Sequence, residues 1–322
     1  MRRTLLLVAL LCLPLTLLAD EPNPKQVTDP AKAGPDFAVQ GEYLGETSAK
    51  AKLGAEVIAR GDGKFEVNFL PGGLRGEDGD FSKHVAAAAK TEDGKTSITS
   101  KKSKWTAEIA SGKMTGTTDS GESFTLTRII RESKTLGAKP PKDAIVLFDG
   151  TNVDEWPNGK IVDGNLLGSE IDSKREFQDH KGHVEFRLSF MPYARDQGRS
   201  NSGVYLQHRY EIQVLDSFGL KGENNECGGI YSQFKPLVNM CYPPLQWQTY
   251  DFEFQTARFE GSKKVKPAVI SVWHNGMLIQ DKVEPKGPTG GGREENEKPG
   301  PLHLQGHGGN VQYRNIWVVE TK

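Results

Sequence analysis

Residues 201–217 read Asn201-Ser202-Gly203-Val204-Tyr205-Leu206-Gln207-His208-Arg209-Tyr210-Glu211-Ile212-Gln213-Val214-Leu215-Asp216-Ser217, and their alternation decides the fold of the region from about residue 144 onward. Val204 and Leu206, then Ile212 and Val214, recur at every second position, the period of strands with one face on a core. The same reading makes strands of residues 183–190, 249–254, 268–273, 277–280 and 311–319. Ala144-Ile145-Val146-Leu147-Phe148 is a buried strand that ends in the turn Asp149-Gly150. Asn275-Gly276 readily takes the positive φ angles of a type I′ turn and predicts a hairpin. About ten strands, with no helix longer than a turn or two and no periodic repeat, predict an all-β, two-sheet sandwich of jelly-roll type over residues 144–322.

Upstream, residues 36–132 carry shorter alternating runs at 64–69 and 123–128, separated by Asp62-Gly63, Asp93-Gly94, Ser111-Gly112 and Ser120-Gly121. This predicts a small antiparallel β-domain ahead of the sandwich. Residues 49–58 and 85–90 alone have a helical look, and both are short. Residues 133–143, with Gly137 and Pro140-Pro141, read as a linker with little to bury, and the Pro, Lys and Asp of residues 20–35 as a flexible tether. Met1-Arg2-Arg3, the apolar run from Leu5 to Leu18 and the small Ala19 form the three-part pattern of a signal peptide over residues 1–19. An exported protein, periplasmic or secreted, is expected, with no integral membrane segment after signal removal. A net charge of -1 gives no footprint for nucleic acid, and 36 glycines suit a turn-rich β fold. Cys227 and Cys241 are left after signal removal and could pair in an oxidising compartment.

Alternation also assigns the outward face. Gly203, Tyr205 and Gln207 point away from the core in the first run, Glu211 and Gln213 in the second. In Leu302-His303-Leu304-Gln305-Gly306-His307, the residues His303, Gln305 and His307 share the outer face. Solvated strand faces usually mix Lys, Glu and Thr. Amides, imidazoles, a carboxylate and an aromatic ring are instead what a sugar needs, and Gly203, Gly228-Gly229 and Gly306 would let backbone approach a ligand.

The ordered strings Leu147-Phe148-Asp149-Gly150, Asn201 to Leu206, Tyr210 to Ser217, Gly229-Ile230-Tyr231, Trp247-Gln248-Thr249-Tyr250, Trp273-His274-Asn275-Gly276, Gly300 to Gln305 and Tyr313-Arg314-Asn315-Ile316 resemble the 3-keto-disaccharide hydrolase domain family. The resemblance spans about residues 145–319. It implies a concanavalin-like jelly roll with a sugar-handling concave face and hydrolysis of 3-keto glycosides. Residues 36–141 look like the front domain of similar exported planctomycete-type proteins.

A ketone at C3 acidifies the C2 hydrogen, so such a glycoside can break by base-assisted elimination followed by hydration. That route needs one base, a donor for the enolate oxygen and a proton for the leaving group. Glu211 or His307 is the expected base, Arg314 and Gln305 the stabilisers of negative charge, and Asn201, Tyr205, Gln207, Gln213 and His303 the remaining sugar contacts. A glycosidase with two carboxylates is disfavoured, because Glu211 and Asp216 fall on opposite faces of a regular strand. No cofactor is required by the sequence. A divalent metal is open, since six of the histidines lie between His180 and His307 and His208 to Glu211 could place two ligands together, though no known ligand spacing is matched. The rival to an enzyme is a non-catalytic carbohydrate-binding module on the same fold.

Overall fold

The computed structural model describes residues 26–168 and 170–321. The expected leader at 1–19 and residues 20–25 of the expected tether lie outside them. Strands β1 (Gly41–Thr47), β2 (Lys52–Gly61), β3 (Lys64–Pro71), β4 (Val85–Glu92), β5 (Lys95–Thr99), β6 (Thr106–Ala110), β7 (Lys113–Thr117) and β8 (Ser123–Ile129) follow one another around a closed antiparallel barrel. β1 pairs with β8 to seal it, which removes the exposed edges an open sheet of this size would have. Tyr43, Val57, Phe69, Met114, Phe124 and Leu126 fill its interior. The segments with a helical look lie mainly in strands β2 and β4: both pair residue by residue with β3, and that cross-strand pairing overrides a weak local preference.

The second half is a sandwich. Its strands are β9 (Ile145–Phe148), β10 (Lys160–Val162), β11 (Asn165–Leu167), β12 (Ile171–Phe177), β13 (His180–Arg187), β14 (Asn201–Leu206), β15 (Tyr210–Leu215), β16 (Trp247–Gln255), β17 (Arg258–Glu260), β18 (Lys263–Lys266), β19 (Val269–His274), β20 (Met277–Val283), β21 (Gly300–Leu304) and β22 (Gln312–Glu320). The larger sheet runs β10-β11-β22-β13-β16-β19-β20 with β9 also on β22; the smaller runs β12-β21-β14-β15; β17 and β18 form a separate ribbon. Val184, Phe186, Tyr250, Phe252 and Tyr313 of the larger sheet meet Val204, Leu206, Ile212, Val214, Leu302 and Leu304 of the smaller in one core. Each such side chain stabilises the fold by about 1.5–3 kcal/mol against leaving it in water. The Asn275-Gly276 hairpin is present between β19 and β20, with both residues at positive φ. Cys227 and Cys241 are buried free thiols.

Two connecting segments differ from expectation. Within the expected tether, residues 26–35 are packed: Val27 and Phe190 exchange backbone hydrogen bonds of 3.0 and 2.8 Å, and Ala33 is buried. The expected linker is docked on the larger sheet. Ser133 Oγ lies 2.6 Å from Thr249 Oγ1, Thr135 Oγ1 donates to Asp251 Oδ2 at 2.6 Å, and Gly137 N–H donates to Glu185 Oε1 at 2.6 Å. A polar outer face drew the segment down, because His183, Glu185 and Asp251 need partners once covered. Barrel and sandwich also meet where Asn68 Nδ2 donates to Gly219 O at 2.8 Å and Arg75 bonds both Leu220 O and the buried Glu56.

Candidate functional site

The outward face of the smaller sheet is built by pairing. Tyr205 on β14 stands opposite Glu211 on β15 and His303 on β21, and Gly203 stands opposite Gln213. Across-strand neighbours lie within side-chain reach, so three strands bring a phenol, a carboxyl and an imidazole together. Asp172 joins them from β12, opposite His303. The inward set is Val204, Leu206, Ile212, Val214, Leu302 and Leu304, as alternation requires. Gly203 is needed for space. A Cβ there would sit 2.5 Å from Glu211 Oε1 and 2.9 Å from the Tyr205 ring.

The Tyr205 hydroxyl is the hub. It lies 2.9 Å from Glu211 Oε2 and 2.8 Å from Gly290 O, and Gln305 Nε2 donates to it at 3.1 Å. A phenol has one hydrogen and cannot serve two acceptors at once. If it donates to Gly290 O, the contact with Glu211 needs a proton on the carboxyl. Burial pushes Glu211 up to about 8, opposed by the Tyr205 hydrogen bond and reinforced by the Glu170 charge. Burial, the largest influence on the group, therefore favours a neutral Glu211 below that pH. Burial, then the Glu211 charge, also holds the Tyr205 phenol far above its ordinary value. The loop before β21 closes this corner. Glu211 N–H donates to Thr289 Oγ1 at 2.9 Å, and Arg293 N–H donates to His208 O at 2.7 Å.

Beside Tyr205, the rings of His208 and His303 stack with centroids 3.7 Å apart. Both Nδ1 atoms face Asp172 Oδ1, at 2.6 Å from His208 and 2.9 Å from His303. Arg293 Nη2 donates to Asp172 Oδ2 at 2.6 Å, and Glu170 Oε2 is 3.4 Å from His303 Nε2. Burial pushes Asp172 up, but the His208 and Arg293 charges outweigh it and hold the carboxyl below its ordinary value. Burial lowers both histidines, His303 also through its neighbour His208. Among the described residues, Asp172, His208 and His303 form a group that could hold a metal ion, with donor atoms within 4.8 Å of one another.

The other expected residues divide. Asn201 and Gln213 share the face, and both bond the Gln197 side chain at 3.2 Å. Asn201 Oδ1 and Gln213 Oε1 are buried and have no hydrogen-bond partner among the described residues. Gln207 lies past the end of β14 at positive φ, which breaks the alternation. Its amide is taken by Phe177 O, Arg209 and Thr256, away from Tyr205. His307 is exposed in the loop after β21, and among the described residues no hydrogen bond joins it to Tyr205 or Glu211. Arg314 belongs to β22 of the larger sheet, where it donates to Glu185 Oε2 at 2.6 Å and lies 4.0 Å over the Trp247 ring. Asp216 is committed to a buried pair with Arg199 at 2.5 Å. Sequence reasoning passed over Asp172, Glu170 and Arg293. Asp172, outward between Ile171 and Ser173, could have been read from alternation; the other two sit in irregular backbone with no such signal.

The 3-keto-alpha-glucoside-1,2-lyase-like domain family matches residues 143–319, more than half of the chain. The chain belongs to this family. The lyase-like domain is also similar to a crystal structure of a candidate glycosyl hydrolase from Parabacteroides distasonis. That protein is 30% identical, with 56% of this chain and 85% of its own covered and a TM-score of 0.51. A second candidate glycosyl hydrolase from the same organism is 16% identical, covers 60% of this chain and 99% of its own, and has a TM-score of 0.42, too slight a likeness to build on. No curated protein matches the chain. Family and relative together support a carbohydrate-active, glycosidase-like domain.

Proposed function

We propose that the lyase-like domain cleaves 3-keto glycosides by elimination across C1 and C2, as part of an exported protein. The observation that carries this reading is Glu211, a buried carboxyl pushed up to about 8 and bonded to the Tyr205 phenol, whose ring meets the His208 and His303 imidazoles. Its carboxylate is a much stronger base than an ordinary one, and base strength is what removing a C–H proton demands. The C3 ketone acidifies C2–H, because the resulting carbanion is delocalised as an enolate. Glu211 takes that proton. The C1–O bond then breaks with its electron pair on the leaving oxygen as C1=C2 forms, and Glu211 returns the proton to that oxygen. Water adding across C1=C2 completes a net hydrolysis.

Gln305 and the His303 edge supply N–H character toward the carbonyl oxygen, and the unpartnered acceptors of Asn201 and Gln213 suit sugar hydroxyls. The route through two carboxylates loses support because Asp216 is bound to Arg199. The test is purified protein with a methyl 3-keto-glucoside and its unoxidised parent, followed by NMR. Only the keto sugar is expected to be cleaved, with kcat/KM rising to a plateau above about pH 8, and Glu211→Gln should lower kcat by about 10³. Cleavage of neither sugar would favour the binding-module reading; cleavage of the parent alone would restore paired carboxylates.

A further inference from the structure

We infer that Asp172, His208 and His303 form a binding site for one divalent transition-metal ion at the edge of the Tyr205–Glu211 face. Three separate pieces of backbone deliver the donors. Asp172 comes from β12, His303 from β21, and His208 from the turn that links β14 to β15. Nothing local requires them to converge, yet both Nδ1 atoms approach the same carboxylate oxygen, at 2.6 and 2.9 Å. The turn is unusual. Gln207 and His208 are successive non-glycine residues at φ +53° and +52°, a backbone that costs about 1–3 kcal/mol per residue and persists only when the surroundings hold it. The surroundings here hold it from both sides: Arg209 and Thr256 bind the Gln207 amide, and Arg293 N–H binds His208 O. Its effect is to lay the His208 ring on that of His303.

The other carboxylate oxygen is already engaged. Arg293 donates to Asp172 Oδ2, the arrangement by which outer partners orient a ligating carboxylate while its remaining oxygen faces the ion. Tyr205, edge-on to both imidazoles with centroids 5.8 and 5.2 Å away, walls one side. Two imidazoles and one carboxylate suit zinc, manganese, cobalt or iron(II), and suit calcium and magnesium poorly, since those prefer all-oxygen sets. Three protein donors leave positions open, as in metal sites that accept a substrate oxygen. A bound cation would polarise a carbonyl oxygen, and that use rests on the reading of the preceding subsection; the binding site itself does not.

The experiment uses the full-length protein, stripped with a chelator and titrated with Zn²⁺, Mn²⁺ and Co²⁺ by calorimetry, with bound metal counted by mass spectrometry. One equivalent of at least one cation is expected, weakened at least fiftyfold in His208→Gln and in Asp172→Asn, and unchanged in His307→Gln. X-ray absorption on the loaded wild type, which needs no variant to fold, should count two imidazole ligands. No stoichiometric binding, binding untouched by both ligand variants, or fewer than two imidazoles overturns the site. Turnover of a 3-keto glucoside is assayed separately. Absence of turnover with binding intact overturns the lyase reading and leaves the metal site supported.

Discussion

At Glu211 the proposed function and the cost to stability come from the same burial. With 2% of its surface exposed, its carboxyl is pushed up from 4.5 to about 8, while in the unfolded chain it titrates near 4.5. Between those values the folded protein holds a proton that the unfolded chain has released. Stability conferred by the neutral form is therefore complete below about pH 4.5, falls as pH rises toward about 8, and levels off beyond it. The neighbours that face the group are Tyr205 and Glu170; the former opposes the shift and the latter adds to it. Replacing Glu211 by Gln keeps the shape and removes the titration. We expect the variant to melt near the wild type at pH 5 and above it at pH 9, a gap on the order of a few kcal/mol. Thermal unfolding at the two values checks this, and an equal gap at both would mean that Glu211 is not the buried acid of this face.

At the scale of elements, β14 and β15 make the site because one period sorts their side chains. Ser202, Val204 and Leu206 turn to the core, where Ser202 Oγ meets Tyr313 OH at 2.7 Å, and Asn201, Gly203 and Tyr205 turn outward. Gly203 is the position where this face has no room to spare. Gly203→Ala puts a methyl against Glu211 Oε1 and Cγ and the Tyr205 ring, but leaves the inward side untouched. The expected result is a loss of kcat by about tenfold or more with a melting temperature changed by only a few degrees. Equal activity in a folded variant would place the chemistry elsewhere than on Glu211.

The same two strands show what could be read beforehand. Tyr205, Glu211, Gln213 and His303 were legible as one face because strict alternation survives through β14, β15 and β21. Gln207 was not, since a positive φ beyond Leu206 reverses the direction of its side chain. Arg314 is only eleven residues beyond His303, yet the chain crosses from the smaller sheet to the larger between β21 and β22. Nearness in sequence hides that crossing. Asp172 and Arg293 reach the site through pairing of β12 with β21 and through a loop, contacts that only tertiary structure creates.

At the scale of the whole molecule, the barrel and the residues flanking it hold the sandwich at positions that are not part of the Tyr205 face: Phe190, Gly219, Leu220 and Tyr242 take contacts from Val27, Asn68, Arg75 and Arg131. The segment between the two domains does something different. Ser133, Thr135 and Gly137 satisfy Thr249, Asp251 and Glu185 on the larger sheet, next to a buried His183. Burial lowers His183, but the hydrogen bonds and charges of Asp251 and Glu185 outweigh it and raise the imidazole, so the docked segment covers a charged cluster. A fragment beginning at Ser133 keeps this cover, and one beginning at Ala144 strips it. Both lose the barrel equally, so their difference isolates the segment. At about 1 kcal/mol for each hydrogen bond lost, and more where a carboxylate is left, the shorter fragment should melt roughly 5–15 °C lower. Both should cleave a 3-keto glucoside with kcat/KM within about twofold of the whole chain at a temperature where both are folded, because the lost contacts do not reach β14, β15 or β21. Coincident melting curves would show the cover to be dispensable. A folded longer fragment with tenfold lower activity would instead make the barrel part of the catalytic unit, acting through the Gly219–Leu220 contact onto the strand that carries Glu211.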